Sequence, residues 1–209
     1  INNPLQAISG FSEVLQRDKD LKPGMRADLA LIQKESARAS AIIRNLSRFS
    51  RQQGSTPTTV YLWDVIDSVV ELRQRRLQEQ NISLTVQDAA SFPVTAVFTE
   101  LQQVLLNFMI NAEQVVGSRG PSERRTAIRT RDAAAGVRLE VEDSGPGVPP
   151  EHESKLFQPF FTTKPIGEGT GLGLSVSYGI IRHTGGTIGY AHSDGGGAIF
   201  YFELPARDE

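Results

Sequence analysis

Leu5, Ile8, Ser12 and Leu15 recur at spacings of three and four near the start of the chain. Ile32, Ser36, Ala39, Ile43 and Leu46 repeat that rhythm over a longer stretch. It is the period of one helix face. Between the two stretches Leu21-Lys22-Pro23-Gly24 interrupts it. The pattern therefore predicts a helical hairpin, with helices near 1–18 and 25–52. Pro4 lacks an N–H and kinks the first helix unless the helix starts there. A hairpin of about 50 residues buries too little surface to stand alone. The simplest partner is a second copy, giving a four-helix bundle; packing on the rest of the chain is the alternative.

Gly54-Ser55-Thr56-Pro57-Thr58-Thr59 has the composition of a turn and linker. It predicts a hairpin domain over 1–53, a linker over 54–60 and a second domain over 61–209. In the second domain the two periods mix. Val65, Ile66, Val69, Leu72 and Leu77 mark a helix face within Asp64–Gln80, and Glu100–Val116 and Leu172–His183 predict two further helices. Ile82, Leu84 and Val86 alternate within Asn81–Gln87, which predicts a strand. Thr126–Thr130 and Val137–Val141 are further strands, with Ala133-Ala134-Ala135-Gly136 near the turn between them. Thr187–Ala191 and Ala198–Leu204 close as a hairpin across Asp194-Gly195-Gly196-Gly197. The expected class is α+β: a helical hairpin, then an α/β sandwich with a mixed, mainly antiparallel sheet.

Charge adds an exclusion. Residues 1–53 hold nine Lys/Arg against five Asp/Glu, but the whole chain of 209 residues has 22 against 24. Its formal charge of −2 excludes nucleic acid as a bulk electrostatic partner. There is no cysteine, which removes disulfides, thiolate metal sites and a cysteine nucleophile. No apolar run approaches the roughly 18–20 residues of a membrane span, so this chain is expected to make no membrane contact. Residue 1 is Ile, and no signal-peptide pattern follows. The expectation is a piece of a longer cytoplasmic protein, whose upstream part is free to carry a membrane anchor.

Three features carry candidate chemistry. Glycines cluster in Asp143-Ser144-Gly145-Pro146-Gly147, after a strand, and in Gly167-Glu168-Gly169-Thr170-Gly171-Leu172-Gly173, before a helix. Glycines ahead of a helix let backbone N–H groups approach an anion, and the helix N-terminus favours negative charge; a Gly-rich run is also an ordinary flexible loop. Asn107 and Asn111 lie four apart on an otherwise apolar helix and share a face. Buried amides need partners, which a ligand, a hydrated divalent ion or neighbouring backbone can supply. Leu156-Phe157-Gln158-Pro159-Phe160-Phe161-Thr162-Thr163-Lys164 sets three phenylalanines in a loop-like stretch between the glycine clusters. They read as core anchors beneath a loop, or as part of a site that Lys164 completes.

The order of these pieces, Asn-x3-Asn, Asp-x-Gly-x-Gly, the Phe-rich stretch and Gly-x-Gly-x-Gly within 107–173, resembles the ATP-binding domain of sensor histidine kinases. That superfamily also holds DNA gyrase, the MutL mismatch-repair proteins and a heat-shock chaperone class. Asn107–Asn111 is similar to its N box, Asp143–Gly147 to its first glycine box, Leu156–Phe161 to its F box and Gly169–Gly173 to its second glycine box. Gly195-Gly196-Gly197-Ala198-Ile199-Phe200 matches the late glycine-strand segment. Ile1-Asn2-Asn3-Pro4-Leu5 resembles the tail of the His-Glu-x-Asn-Asn-Pro-Leu phospho-acceptor motif, in the style of nitrogen-regulation kinases. The resemblance spans nearly the whole chain.

It implies a histidine kinase core that binds ATP and Mg²⁺, works as a homodimer through the hairpin, and passes phosphate to a response-regulator receiver domain. Asp143 is expected to accept a hydrogen bond from the adenine amino group, with Gly145 and Gly147 letting the chain turn close to the base. Asn111 is the expected Mg²⁺ ligand, and Asn107 assists through phosphate or water. Gly169, Gly171 and Gly173 offer backbone N–H groups to the phosphates, and Phe160, Thr163, Thr170 and Leu172 are implied as further nucleotide neighbours. Lys164 is a candidate γ-phosphate contact from a lid over roughly 150–171, and Asn3 a candidate for orienting water during dephosphorylation. Two departures stand out. The motif's His and Glu would precede Ile1, and the three histidines present, His152, His183 and His192, all lie in the second domain. Gln114 also stands where related kinases often place a basic side chain. This chain is therefore expected not to phosphorylate itself. The alternative reading is a nucleotide-gated dimeric scaffold without phosphotransfer. An ATP-hydrolysing relative of the gyrase kind is disfavoured, because that class has a Glu base where Asn107 stands.

Overall fold

The computed structural model describes residues 2–18, 21–52, 56–117, 119–134, 136–165 and 169–207. Ile1, Gly54, Ser55, Ala135, Gly167 and Glu168, which the sequence reading drew on, lie outside the described residues. The chain divides into two compact units, Ile1–Gly54 with Pro159–Leu172, and Ser55–Gln158 with Gly173–Glu209.

The first unit contains helices α1, Asn2–Gln16, and α2, Pro23–Gln52. The breaker cluster is the start of α2 rather than a plain loop: Pro23 is its first residue, where a missing N–H costs nothing. Arg26 then reaches back and donates to the carbonyls of Gln16 (2.8 Å) and Asp18 (3.0 Å). The Gln16 carbonyl is the last of α1, which has no intrahelical donor for it, and the Asp18 carbonyl follows two residues later. Among the described residues of the hairpin the buried positions are the small hydroxyls Ser12, Ser36 and Ser40, and Ser12 Oγ donates to the Ile8 carbonyl at 2.8 Å. The large apolar residues Ile8, Phe11, Val14 and Leu15 are exposed, Phe11 at 72%.

The second unit is the sandwich. Strand β1, Thr58–Val60, falls in the stretch read as linker; it pairs antiparallel with β3, Val94–Ala96, a strand too short to show an alternation. Helix α3 is Leu62–Glu79, strand β2 is Ser83–Gln87 and helix α4 is Phe98–Val116. Strands β4, Arg125–Ala133, and β5, Gly136–Asp143, form a tight hairpin, both longer than their alternation suggested. A single-turn helix α5, Pro150–Glu153, precedes α6, Gly173–His183, and the chain ends in β6, Thr187–His192, and β7, Ala198–Leu204. The five-stranded sheet runs β2-β4-β5-β7-β6. Only β2–β4 is parallel, its crossover carried by β3 and α4; the other pairs are antiparallel.

Period-2 alternation sorts the sheet into two faces. Val137, Leu139 and Val141 of β5 and Phe200, Phe202 and Leu204 of β7 are buried, as are Leu101, Leu105, Phe108 and Met109 of α4. Phe108 meets the rings of Phe200 and Phe202 at 5.8 and 6.4 Å between centroids. The opposite face is charged and self-paired: Arg138 lies 3.5 Å over the Tyr201 ring and donates to Glu140 and Glu203. Asp143, at the end of β5, shares the buried register with Val137, Leu139 and Val141. A carboxylate at an inward position of a core strand is costly unless something accepts or supports its charge.

Candidate functional site

Asp143 is only 3% exposed. Its Oδ1 accepts the backbone N–H of Gly145 at 2.8 Å and of Ala198 at 3.4 Å. Burial pushes its carboxyl above the ordinary aspartate range; the two N–H groups and the Arg119 guanidinium pull the other way, and Glu142 adds to the rise. The acid is thus held at the sheet's end with part of its hydrogen-bonding capacity engaged.

The chain after Asp143 is held close to it. A Cβ on Gly145 would sit 2.1 Å from Val115 Cγ1 of α4 and 2.7 Å from Asp143 Oδ1, so no side chain fits there. Arg119, just beyond α4, donates to the Gly145 carbonyl at 3.0 Å. The Val148 N–H donates to the Tyr190 hydroxyl of β6 at 3.2 Å, and Gly147 sits between with φ of 75°. Tyr190 in turn contacts His192 Nδ1 at 3.1 Å, and His192 Nε2 contacts Glu153 at 2.8 Å. Sequence reasoning missed Arg119, Tyr190 and Ala198. Their contribution is made through backbone atoms and across strands, and no residue pattern announces it.

Asn107 and Asn111 do share a face of α4, as their spacing requires. Asn107 is engaged within the protein: its Nδ2 donates to the Gly173 carbonyl at 2.9 Å and to Ser177 Oγ at 3.1 Å, and its Oδ1 accepts from Gln103 at 3.0 Å. It ties α4 to the first turn of α6 through that carbonyl and hydroxyl. Asn111 lies half-buried one turn further on. Gly173 leaves ordinary room for a Cβ beside Asn107, at 3.5 Å, so that position is not sterically restricted to glycine.

The remaining expected site residues belong to the first unit. The stretch expected as one lid over 150–171 is divided: 150–158 falls in the sandwich, and 159–172 in the unit with the hairpin. Phe160 is exposed and has φ of 66°, a conformation unusual for a bulky residue. Gly171 lies against it with φ of 66°, and a Cβ there would meet the Phe160 carbonyl carbon at 2.4 Å. Thr162 Oγ1 accepts the Lys164 N–H at 3.2 Å, and Thr170 Oγ1 accepts the Leu172 N–H at 3.4 Å. A Cβ on Gly169 would crowd Thr162 Oγ1 at 2.7 Å. Thr163 is exposed, Leu172 is buried, and burial draws the Lys164 amine below its ordinary value. Asn3 is exposed in the first turn of α1. Among the described residues no cluster of three His, Cys, Asp or Glu could hold a metal ion.

Comparison with known proteins decides the family. Residues 96–208, more than half the chain, match the histidine kinase-, DNA gyrase B- and HSP90-like ATPases. The chain belongs to this family. Residues 1–55 match the His Kinase A (phospho-acceptor) domain. Among curated relatives of this kinase family, sensor kinase CckA of Brucella abortus is 36% identical over 98% of this chain and 23% of its own length. The catalytic domain of histidine kinase ThkA is 34% identical, with a TM-score of 0.65 over 73% of this chain and 97% of that one. ThkA in complex with response regulator protein TrrA matches at 28% identity and a TM-score of 0.71, over 98% of this chain and 58% of that one. The chain spans less than half the length of the curated relatives it matches. The kinase relatives and the order of the two matched regions place it with sensor histidine kinases rather than with the gyrase or chaperone branches.

Proposed function

We propose that this chain is the ATP-binding core of a two-component sensor histidine kinase of the nitrogen-regulation kind. It would pass the γ-phosphate of ATP to a histidine outside these 209 residues, and from there to a response-regulator aspartate. The observation that carries the reading is Asp143, a buried carboxylate at the end of β5 with Gly145 folded against it. An ionised carboxylate only accepts hydrogen bonds, so it suits the adenine amino group and opposes the carbonyl of guanine.

The other roles follow from the family resemblance. The backbone N–H groups of Gly169, Gly171 and Gly173 would face the phosphates, and Lys164 the γ-phosphate, with Phe160, Thr163, Thr170 and Leu172 around the nucleotide. Mg²⁺ takes few protein ligands and fills its shell with phosphate and water. One amide oxygen from Asn111 fits that habit, and the absence of an acidic cluster among the described residues agrees with it. Bound there, the ion would neutralise phosphate charge during transfer. Asn107, engaged with Gly173 and Ser177, would set the start of α6 beneath the phosphates. Residues 1–53 would serve dimerisation and phosphotransfer, and 61–209 nucleotide binding. The exposed Ile8, Phe11, Val14 and Leu15 support a homodimer through the hairpin. Asn3 would orient water when the regulator is dephosphorylated. Among the described residues no helix is long and apolar enough to cross a membrane, and the cytoplasm is the compartment that supplies ATP.

The test incubates this chain, beside a version that adds the His-Glu pair and its preceding helix, with γ-labelled ATP and Mg²⁺. The expected result is acid-labile, base-stable label on the longer chain alone, because no histidine lies within 1–55. ATP binding without label on either chain would replace the kinase by the nucleotide-gated scaffold.

A further inference from the structure

Residues 143–148 are held at two points by side chains from outside their own strand and loop: Tyr190 takes the Val148 N–H, and Arg119 holds the Gly145 carbonyl. The Arg119 contact bears more directly on the base. It holds, by its carbonyl, the same residue whose N–H donates to Asp143 Oδ1, 2.8 Å away. Gly145 is also wedged against Val115, so a shift of its peptide moves the carboxylate's own donor. Arg119 is itself anchored: its carbonyl accepts from Arg124 Nε at 3.0 Å, and Arg124 donates to the Gln80 carbonyl at 2.7 Å. The guanidinium is therefore brought to the end of β5 by a built contact, not by a loose surface side chain.

We propose that Arg119 is a positioning residue for base recognition, holding Gly145 by its carbonyl so that the Gly145 N–H stays on Asp143 Oδ1, and bringing a positive charge to the same end of β5. This rests on the adenine reading of Asp143. Arg119 has no assigned contact with substrate; it acts through Gly145 and through its charge. The charged and titratable groups around Asp143 are few. Burial raises its pKa and Glu142 on its own strand adds to the rise; the Gly145 and Ala198 N–H groups lower it, and so does the Arg119 charge. Tyr190 of β6 lies close enough for the Asp143 charge to help raise the phenol. Removing Arg119 takes away a charge that lowers the Asp143 pKa and leaves the Glu142 charge that raises it, so protonation begins at a higher pH.

The experiment titrates the 209-residue chain with ATP and Mg²⁺ across acid to neutral pH, for wild type, Arg119→Gln, Arg119→Lys, Asp143→Asn and the double variant Arg119→Gln/Asp143→Asn. Thermal unfolding checks that each is folded. Arg119→Gln is expected to weaken ATP about tenfold at neutral pH, the scale of a charge-assisted contact. It is also expected to move the acid-side loss of affinity to higher pH. Arg119→Lys keeps the charge and returns that midpoint to the wild-type position. On the Asp143→Asn background Arg119→Gln changes affinity less than about twofold, because the two act as one unit. Equal weakening on both backgrounds, or an unmoved acid midpoint, would make Arg119 a loop anchor only and overturn the proposal while leaving the adenine reading intact. An Asp143→Asn variant that binds ATP like wild type would overturn the adenine reading itself, and the Arg119 role with it.

Discussion

Asp143→Asn lowers ATP affinity by on the order of 10- to 100-fold, the range of one hydrogen bond to a charged group, and improves GTP relative to ATP. The direction follows from the neighbours. Two backbone N–H groups, of Gly145 and Ala198, converge on Asp143 Oδ1. An asparagine in the same place turns its oxygen toward them and its NH₂ toward the base. That sets donor against donor for adenine and donor against carbonyl for guanine. The fold survives the change. Burial raises the native pKa of Asp143 above its unfolded value, so any stability this group contributes is present below the unfolded pKa and lost as pH rises through the native one. At neutral pH the ionised acid is a cost, and the asparagine variant unfolds no sooner than wild type. The same shift gives wild type a loss of ATP affinity on acidification that begins above the usual aspartate range and is missing from the variant. Calorimetric titrations with both nucleotides at several pH values check this; unchanged ATP affinity would contradict the assignment.

The second large effect is on stability. Glu113 is 2% exposed on α4, and its carboxylate is gripped by Arg73 of α3 through both Nε, at 2.8 Å, and the neighbouring guanidinium nitrogen. Glu113→Gln leaves the Arg73 charge unpaired against the core. Breaking a buried ion pair from one side costs roughly 3–5 kcal/mol. Arg73 keeps about a fifth of its side chain exposed and can turn partly to water, so we expect the low end, about 3 kcal/mol, by urea unfolding. Arg73→Met/Glu113→Leu recovers most of that loss, since an apolar replacement of a buried pair is often neutral. A single variant within about 1 kcal/mol of wild type would show the pair to be dispensable. The pair bears on the proposed site because Glu113 lies two residues past Asn111, on the helix that carries both asparagines.

Much of this architecture is written in spacing. The Asn-x3-Asn, Asp-x-Gly-x-Gly and Gly-x-Gly-x-Gly order was enough to place Asn107 and Asn111 on one helix and Asp143 at a strand's end, because helix and strand periods act locally. Short-range patterns are silent where backbone atoms or distant elements decide. Strand β3 has three residues and exists through pairing with β1, so no alternation marks it. Among the described hairpin residues the buried ones are serines, while Ile8, Phe11, Val14 and Leu15 stay exposed, and an apolar spacing does not announce that a small hydroxyl takes the inner position. The spacing left open whether Asn107 met a ligand, an ion or backbone; its protein partners, Gly173 and Ser177, are 66 and 70 positions away and no local pattern could name them. Arg119 and Tyr190 act on peptide groups, and a peptide group has no letter in the sequence.

One titration bears most directly on the claim that this chain is an adenine-nucleotide-binding kinase core. The chain is titrated by calorimetry with ATP and, separately, with GTP, both with Mg²⁺. Saturable one-site binding of ATP with no measurable heat from GTP is the predicted result. GTP binding as well as ATP, or neither binding at all, would contradict the account.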